Sequence, residues 1–251
     1  LGPRDHYLVP PYASYVNTAA SSPLPNNPAI FDLAHRQGAL TGYVHPFDAV
    51  PDPARMEDPL TNDLPVSAAL GKMDYLEVVG FSDHLATSAV WYRLLNCGLR
   101  IPAGAGTDAM ANFASLRGPV GVDRVYVRTG SRPDHARFLA GIRAGRTFAT
   151  NGPLLRFTLG HSGPGDVIRL PAGGRTLQAR VVLASIVPVD HLEIIGNGGT
   201  IADLPLSGDR RSATLSRSPV KIASFFAPSS RRRSITALVA GRILSSRPTA
   251  P

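Results

Sequence analysis

The pattern of apolar residues changes character near residue 150, and that change constrains the fold more than any other feature. Before it, helical and strand periodicities alternate. Asn27 is a good N-cap with Pro28 at the first helical position, Ile30, Phe31, Leu33 and Ala34 form an apolar face, and Gly38 ends the helix. Strands are expected at 41–46, 74–79, 101–106 and 123–128. A helix is expected from Val90 through Leu95 to Gly98, and another over 134–144. Residues 48–65, rich in proline and acids, read as a loop. This alternation argues an α/β domain with a largely parallel sheet.

After Thr150-Asn-Gly-Pro153 no helix is expected. Short strands at 154–159, 167–170, 177–184 and 191–195 are separated by Gly and Pro, and Gly196-Asn-Gly-Gly199 is a hairpin-turn signal. The expected organisation is a first domain over 1–153, a small β-sandwich module over 154–209 and a basic tail over 210–251.

Charge separates the tail from the rest. The formal net charge is +8, yet residues 1–209 hold 17 Lys+Arg against all 18 Asp+Glu. Residues 210–251 hold the other 9 basic residues and no acid. A basic segment can attract phosphates, but this one lacks aromatic interleaving and any nucleic-acid module, so no nucleic-acid partner is expected. Only Lys72 and Lys221 of the 26 basic residues are lysine, which suggests GC-rich coding. The tail then reads as a shifted frame or a diverged end, and not as a set of strands. No apolar run approaches the roughly 18 residues needed to span a bilayer. Neither the compartment nor the oligomeric state is readable. Cys97, the one cysteine, is expected to be a small buried apolar group.

Two apolar runs end on metal-ligand types: Thr41-Gly-Tyr-Val-His45 and Ile101-Pro-Ala-Gly-Ala-Gly-Thr-Asp108. Side chains converge where parallel strands end, and an imidazole with a carboxylate suits zinc, manganese or iron. Pro46 is expected to keep His45 extended. Gly104 and Gly106 would let the backbone approach whatever Asp108 binds. His84, after the strand bearing Glu77, could reach the same edge. Arg124, Arg146 and Asn151 are candidates for holding an anionic group of a small-molecule substrate. His35, His135, His161 and His191 read as surface groups, and Trp91 and Tyr92 as helix core. Gly104-x-Gly106-x-x-Ala109 is a weak match to a dinucleotide fingerprint.

The segments Gly42-Tyr-Val-His-Pro-Phe47, Tyr75-Leu-Glu-Val78, Ala103-Gly-Ala-Gly-Thr-Asp108, Gly118-Pro-Val-Gly121 and Gly145-Arg-Thr-Phe-Ala-Thr-Asn-Gly-Pro153, with Trp91-Tyr-Arg-Leu-Leu-Asn-Cys-Gly98, follow one another in order. In that order they resemble the carbaryl-hydrolase-like (CehA/McbA) metallohydrolases of the PHP superfamily, over roughly residues 7–205. The resemblance implies a partial distorted (β/α)7 barrel with a multinuclear divalent-metal site, hydrolysing an ester, phosphoester or related bond. It makes His45 and Asp108 metal ligands and puts Glu77 at the rim of the site. The family's His-x-His strand has no counterpart here, and its last Asp-x-His is Asp108-Ala-Met110. A thioether is a poor ligand for such ions. The expectation is therefore a fragment with an incomplete ligand set, weak or inactive as a hydrolase. The alternative is a non-catalytic relative that binds an anionic ligand or partner through the barrel mouth.

Overall fold

A computed structural model describes residues 1–4, 26–52, 63–110, 116–171, 174–222 and 237–242. His6 and the basic run at 231–233 lie outside the described residues. The chain divides into two compact units, Leu1–Ala149 and Thr150–Pro251.

In the first unit, helix α1 (Asn27–Arg36) is capped one residue earlier than its sequence suggests. The Asn26 side chain accepts from the Ala29 N–H at 3.1 Å, and Pro28 sits in the first turn. Gly38 follows with φ 78°, the left-handed conformation that ends helices. Strand β1 (Gly42–Tyr43) is short. Helix α2 (Leu64–Ala69), whose first turn holds Pro65, begins inside the stretch expected to be a loop. Strand β2 (Tyr75–Val79) leads to helix α3 (His84–Asn96), which starts well before Val90 because Asp83 caps it. One Asp83 carboxylate oxygen accepts from Leu85 and Ala86 N–H, each at 2.8 Å. Strand β3 (Ala103–Ala105) follows. Trp91 on α3 is buried and donates its indole N–H to the Ile101 carbonyl at 2.9 Å, tying the helix to the segment that feeds β3.

Strands β1, β2 and β3 form one parallel sheet in that order, with Tyr43 opposite Leu76 and Glu77 opposite Gly104. Strand β4 (Arg124–Val127) does not extend it as a parallel neighbour. It touches the β3 end through one antiparallel bridge, Gly106 to Arg124. After helix α4 (His135–Arg143), β4 instead pairs with β5 (Thr147–Thr150) in a two-stranded sheet.

The expected (β/α)7 barrel is therefore corrected. Among the described residues the sheets hold two or three strands each, and none closes on itself. Closure needs every strand to have two neighbours; here β3 passes its outer edge to a single bridge. Most strand residues lie in antiparallel sheets of the second unit.

In that unit, β6 (Leu154–Leu159), β7 (Arg175–Ala184) and β10 (Ser212–Ile222) form one antiparallel sheet with β7 in the middle. Strands β8 (His191–Gly196), β9 (Gly199–Leu204) and β11 (Ala237–Arg242) form another around β8. Leu159, Ala179, Val181 and Val220 from the first sheet bury against Leu192, Ile194 and Leu204 of the second. The tail is corrected here too, since its residues 212–222 pair with β7 and 237–242 with β8. Alternation explains this: Ala213 and Leu215 turn inward while Ser212, Thr214 and Ser216 face out. Residues 167–170, expected as a strand, belong to none.

No helix among the described residues is long and apolar enough to cross a membrane. Cys97 is exposed, against the expectation of burial, because it lies just past the end of α3.

Candidate functional site at the parallel strand ends

Parallel pairing sends the C-terminal ends of β1, β2 and β3 to one edge of the sheet. His45 lies two residues past β1 and Asp108 three past β3. The His45 Nε2 stands 3.9 Å from Asp108 Oδ2, and both side chains are partly exposed, 46% and 38%. Both residues have positive φ, 35° and 55°. Side-chain-bearing residues adopt this conformation at a cost and mostly where the surroundings force it. His45 is thus not extended, as Pro46 would suggest.

The turn after β1 is held from two sides. Below it, the buried Glu77 of β2 accepts the His45 backbone N–H on Oε1 at 2.9 Å. Beyond it, Thr87 of α3 donates its hydroxyl to the Phe47 carbonyl at 3.2 Å. Burial pushes the Glu77 carboxyl above the usual range. The His45 N–H and the nearby imidazole oppose that, while Asp108 and Asp123 add to it.

The space around this carboxylate exists because Gly80 and Gly106 lack side chains. A Cβ on Gly106 would sit 2.9 Å from Glu77 Oε2, and one on Gly80 would collide with Oε1. At Gly104 the near neighbour is the Tyr75 ring, 2.7 Å from such a Cβ. Gly104 of β3 and Gly106 just past it therefore make room for Tyr75 and Glu77.

Two further groups complete the edge. Arg117 pairs through Nη1 with Asp108 Oδ2, donates to the Asp108 carbonyl at 3.3 Å, and lies over the Phe81 ring at 4.6 Å from its centroid. Thr107 accepts from Gly121 N–H (3.1 Å) and Asp123 N–H (3.0 Å) and donates to the Asp123 carbonyl (3.0 Å), which places Asp123 beside the β3 end. Burial raises the Asp123 carboxyl, with the charges of His84 and Arg124 opposing.

His45, Glu77 and Asp108 are brought together. His84 is the exposed first residue of α3, and it bears on the site through Asp123. Arg124 is turned to its own strand, donating to Tyr126 Oη at 3.1 Å and to the Gly121 carbonyl at 2.6 Å. Arg146 has a buried Nε with no hydrogen-bond partner among the described residues, and Asn151 is exposed in the other unit. Arg117, Phe81 and Asp123 were not singled out by sequence. Asp123 could have been, as an acid opening a strand beside the Gly118-Pro-Val-Gly121 turn.

His35, read as a solvated residue, instead bonds Asp74 Oδ2 through Nε2 at 2.8 Å. Of the other histidines, His135 and His161 are exposed and His191 is partly buried beside Asp190.

Donor chemistry gives the test of fit for a divalent ion. Metal–ligand bonds of about 2 Å put two donors on one ion roughly 3–4 Å apart, and the His45–Asp108 separation falls in that range. Among the described residues no group of three or more His, Cys, Asp or Glu side chains converges as a metal cage. Among the described residues, the spacing of the His45 and Asp108 donors thus fits a single ion.

No protein-family model, curated protein or solved structure matches the chain.

Proposed function

We propose that the strand-end edge binds one divalent cation, zinc, manganese or iron, through His45 Nε2 and Asp108, and that the chain is a metal-dependent hydrolase of the carbaryl-hydrolase-like kind with an incomplete ligand set. Its substrate class is an ester, phosphoester or related bond, and its activity is weak or absent. The approach of His45 to Asp108, 3.9 Å apart beyond the ends of β1 and β3 on either side of β2, carries this reading. A bound ion supplies an activated water and Lewis-acid polarisation of the scissile group. The chain's own residues do the positioning. Glu77 fixes the His45 backbone and so aims the imidazole. Arg117, stacked on Phe81, is paired with Asp108, so a cation held by that carboxylate would compete with the guanidinium for it.

The fixed Arg117 favours a second reading, a metal-free site that takes a carboxylate or phosphate ligand in exchange for Asp108. Calorimetric titration of the full chain with zinc and with manganese decides between them. One equivalent bound, and lost in H45A and D108A, supports the metal site. No metal uptake, with a carboxylate or phosphate ligand bound and lost in R117A, supports the second reading. Turnover of nitrophenyl acetate and bis-nitrophenyl phosphate with added metal then tests the hydrolase assignment.

A further inference from the structure

The outward face of the β6–β7–β10 sheet carries an arrangement with no role in the strand-end site. Register places Thr158, Arg180 and Ser216 in one row across the three strands, and Arg156, Val182 and Thr214 in the next. Since Leu155, Phe157, Leu159, Ala179 and Val181 line the core, these two rows face away from it. Arg156, Thr158, Arg180 and Val182 line a shallow cavity of about 230 Å³.

The electrostatics of this face are one-sided. The two outward rows carry Arg156 and Arg180, and the three strands contain no Asp or Glu. Arg156 and Arg180 are diagonal neighbours on adjacent strands, positions whose side chains lie roughly 7–8 Å apart at their base. Like charges at that spacing repel. Among the described residues neither guanidinium has a carboxylate partner or a hydrogen bond. The backbone amides of β7 are committed to ladders on both sides, so any ligand must be held by side chains.

We propose that this face binds a tetrahedral oxyanion, a phosphate or sulfate ester group on a small organic molecule, between the Arg156 and Arg180 guanidiniums. A guanidinium presents a planar fork of N–H donors that matches two oxygens of such a group. Two forks and the Thr158 hydroxyl together offer donors to all the oxygens not esterified. The anion also removes the repulsion between the two arginines. The cavity has room for the oxyanion and a few attached atoms, with Val182 as its apolar wall.

The test follows backbone amide and arginine side-chain N–H resonances of the full-length chain during titration with inorganic phosphate, sulfate and glucose 6-phosphate, the Thr158 and Val182 amides reporting in variants that lack the arginines. Saturable shifts at Arg156 and Arg180 with millimolar affinity are expected, weakened at least tenfold in R156A/R180A and unchanged in R175A. If the double variant loses its melting transition, R156Q and R180Q singly carry the comparison, each weakening binding several-fold. Equal shifts with sodium chloride at matched ionic strength overturn the site. So does binding that appears only with anionic vesicles or duplex DNA, since that needs a polyanion surface and not a single ester group.

Discussion

The backbone N–H of His45 donates to the Glu77 carboxylate at 2.9 Å, so a buried acid on the central parallel strand holds the turn that carries the imidazole of its neighbour. Replacing Glu77 by alanine strands that N–H in a half-buried position. A loss of about 1–3 kcal/mol is expected, together with at least tenfold weaker zinc binding. E77Q keeps an acceptor oxygen of the same reach and should retain most of both. Urea melts and zinc calorimetry on the two variants check this.

Left-handed backbone at His45 implies a second outcome. Glycine adopts φ 35° without steric cost, whereas any residue with a Cβ does not. H45G should therefore be more stable than H45A by about 1 kcal/mol, although both lose the imidazole. Equal melting midpoints for the two would show that the turn is not strained.

Asp74 gives the pH dependence. Its carboxylate sits partly buried, accepts from Thr41 N–H at 2.9 Å and from His35 at 2.8 Å, and has the Arg143 Nε at 3.3 Å. Burial raises its pKa, but the Thr41 N–H, His35 and Arg143 together outweigh that, and the group ends below the usual aspartate value of 3.8. An acid depressed in the folded state contributes stability above its unfolded pKa and loses it as pH falls through the folded one. D74N should cost about 1.5–3 kcal/mol at neutral pH, and the gap to the parent should close as pH drops below about 4. Denaturant midpoints measured from about pH 7 to pH 3 read this directly.

Trp91 is buried and its indole N–H serves the Ile101 carbonyl. W91F leaves that carbonyl unpaired and a small void, and should cost about 1–3 kcal/mol. W91A should cost about 3–5 kcal/mol. A thermal melt ranks them, and W91A should also loosen β3 and with it Asp108.

Local signals in the sequence read well where chemistry acts over a few residues. Pro28 and Gly38 mark α1 to within one residue, and the apolar runs ending at His45 and Asp108 foreshadow two strand ends that meet. What failed was pairing over distance. Nothing in residues 123–128 says that β4 turns from β3 to β5, and the barrel that the family resemblance implied needs β4 as a parallel neighbour of β3. Composition also misled. The acid-free, arginine-rich tail hid the period-two pattern Ser212-Ala-Thr-Leu-Ser216, which places residues 212–222 in a sheet. Partners of a side chain are equally invisible from local context: Arg117 lies nine residues beyond Asp108 in sequence, yet its guanidinium meets that carboxylate.

Strand β7 sits between β6 and β10, bonded on both flanks. Cutting the chain just before Ser212 would strip one flank and leave up to ten residues of open donors and acceptors beside Val181 and Leu183. An unprotected edge of that length recruits another copy of itself. Residues 212–222 thus cover that edge, and versions shortened before Ser212 should precipitate or form fibrils more readily than the longer chain.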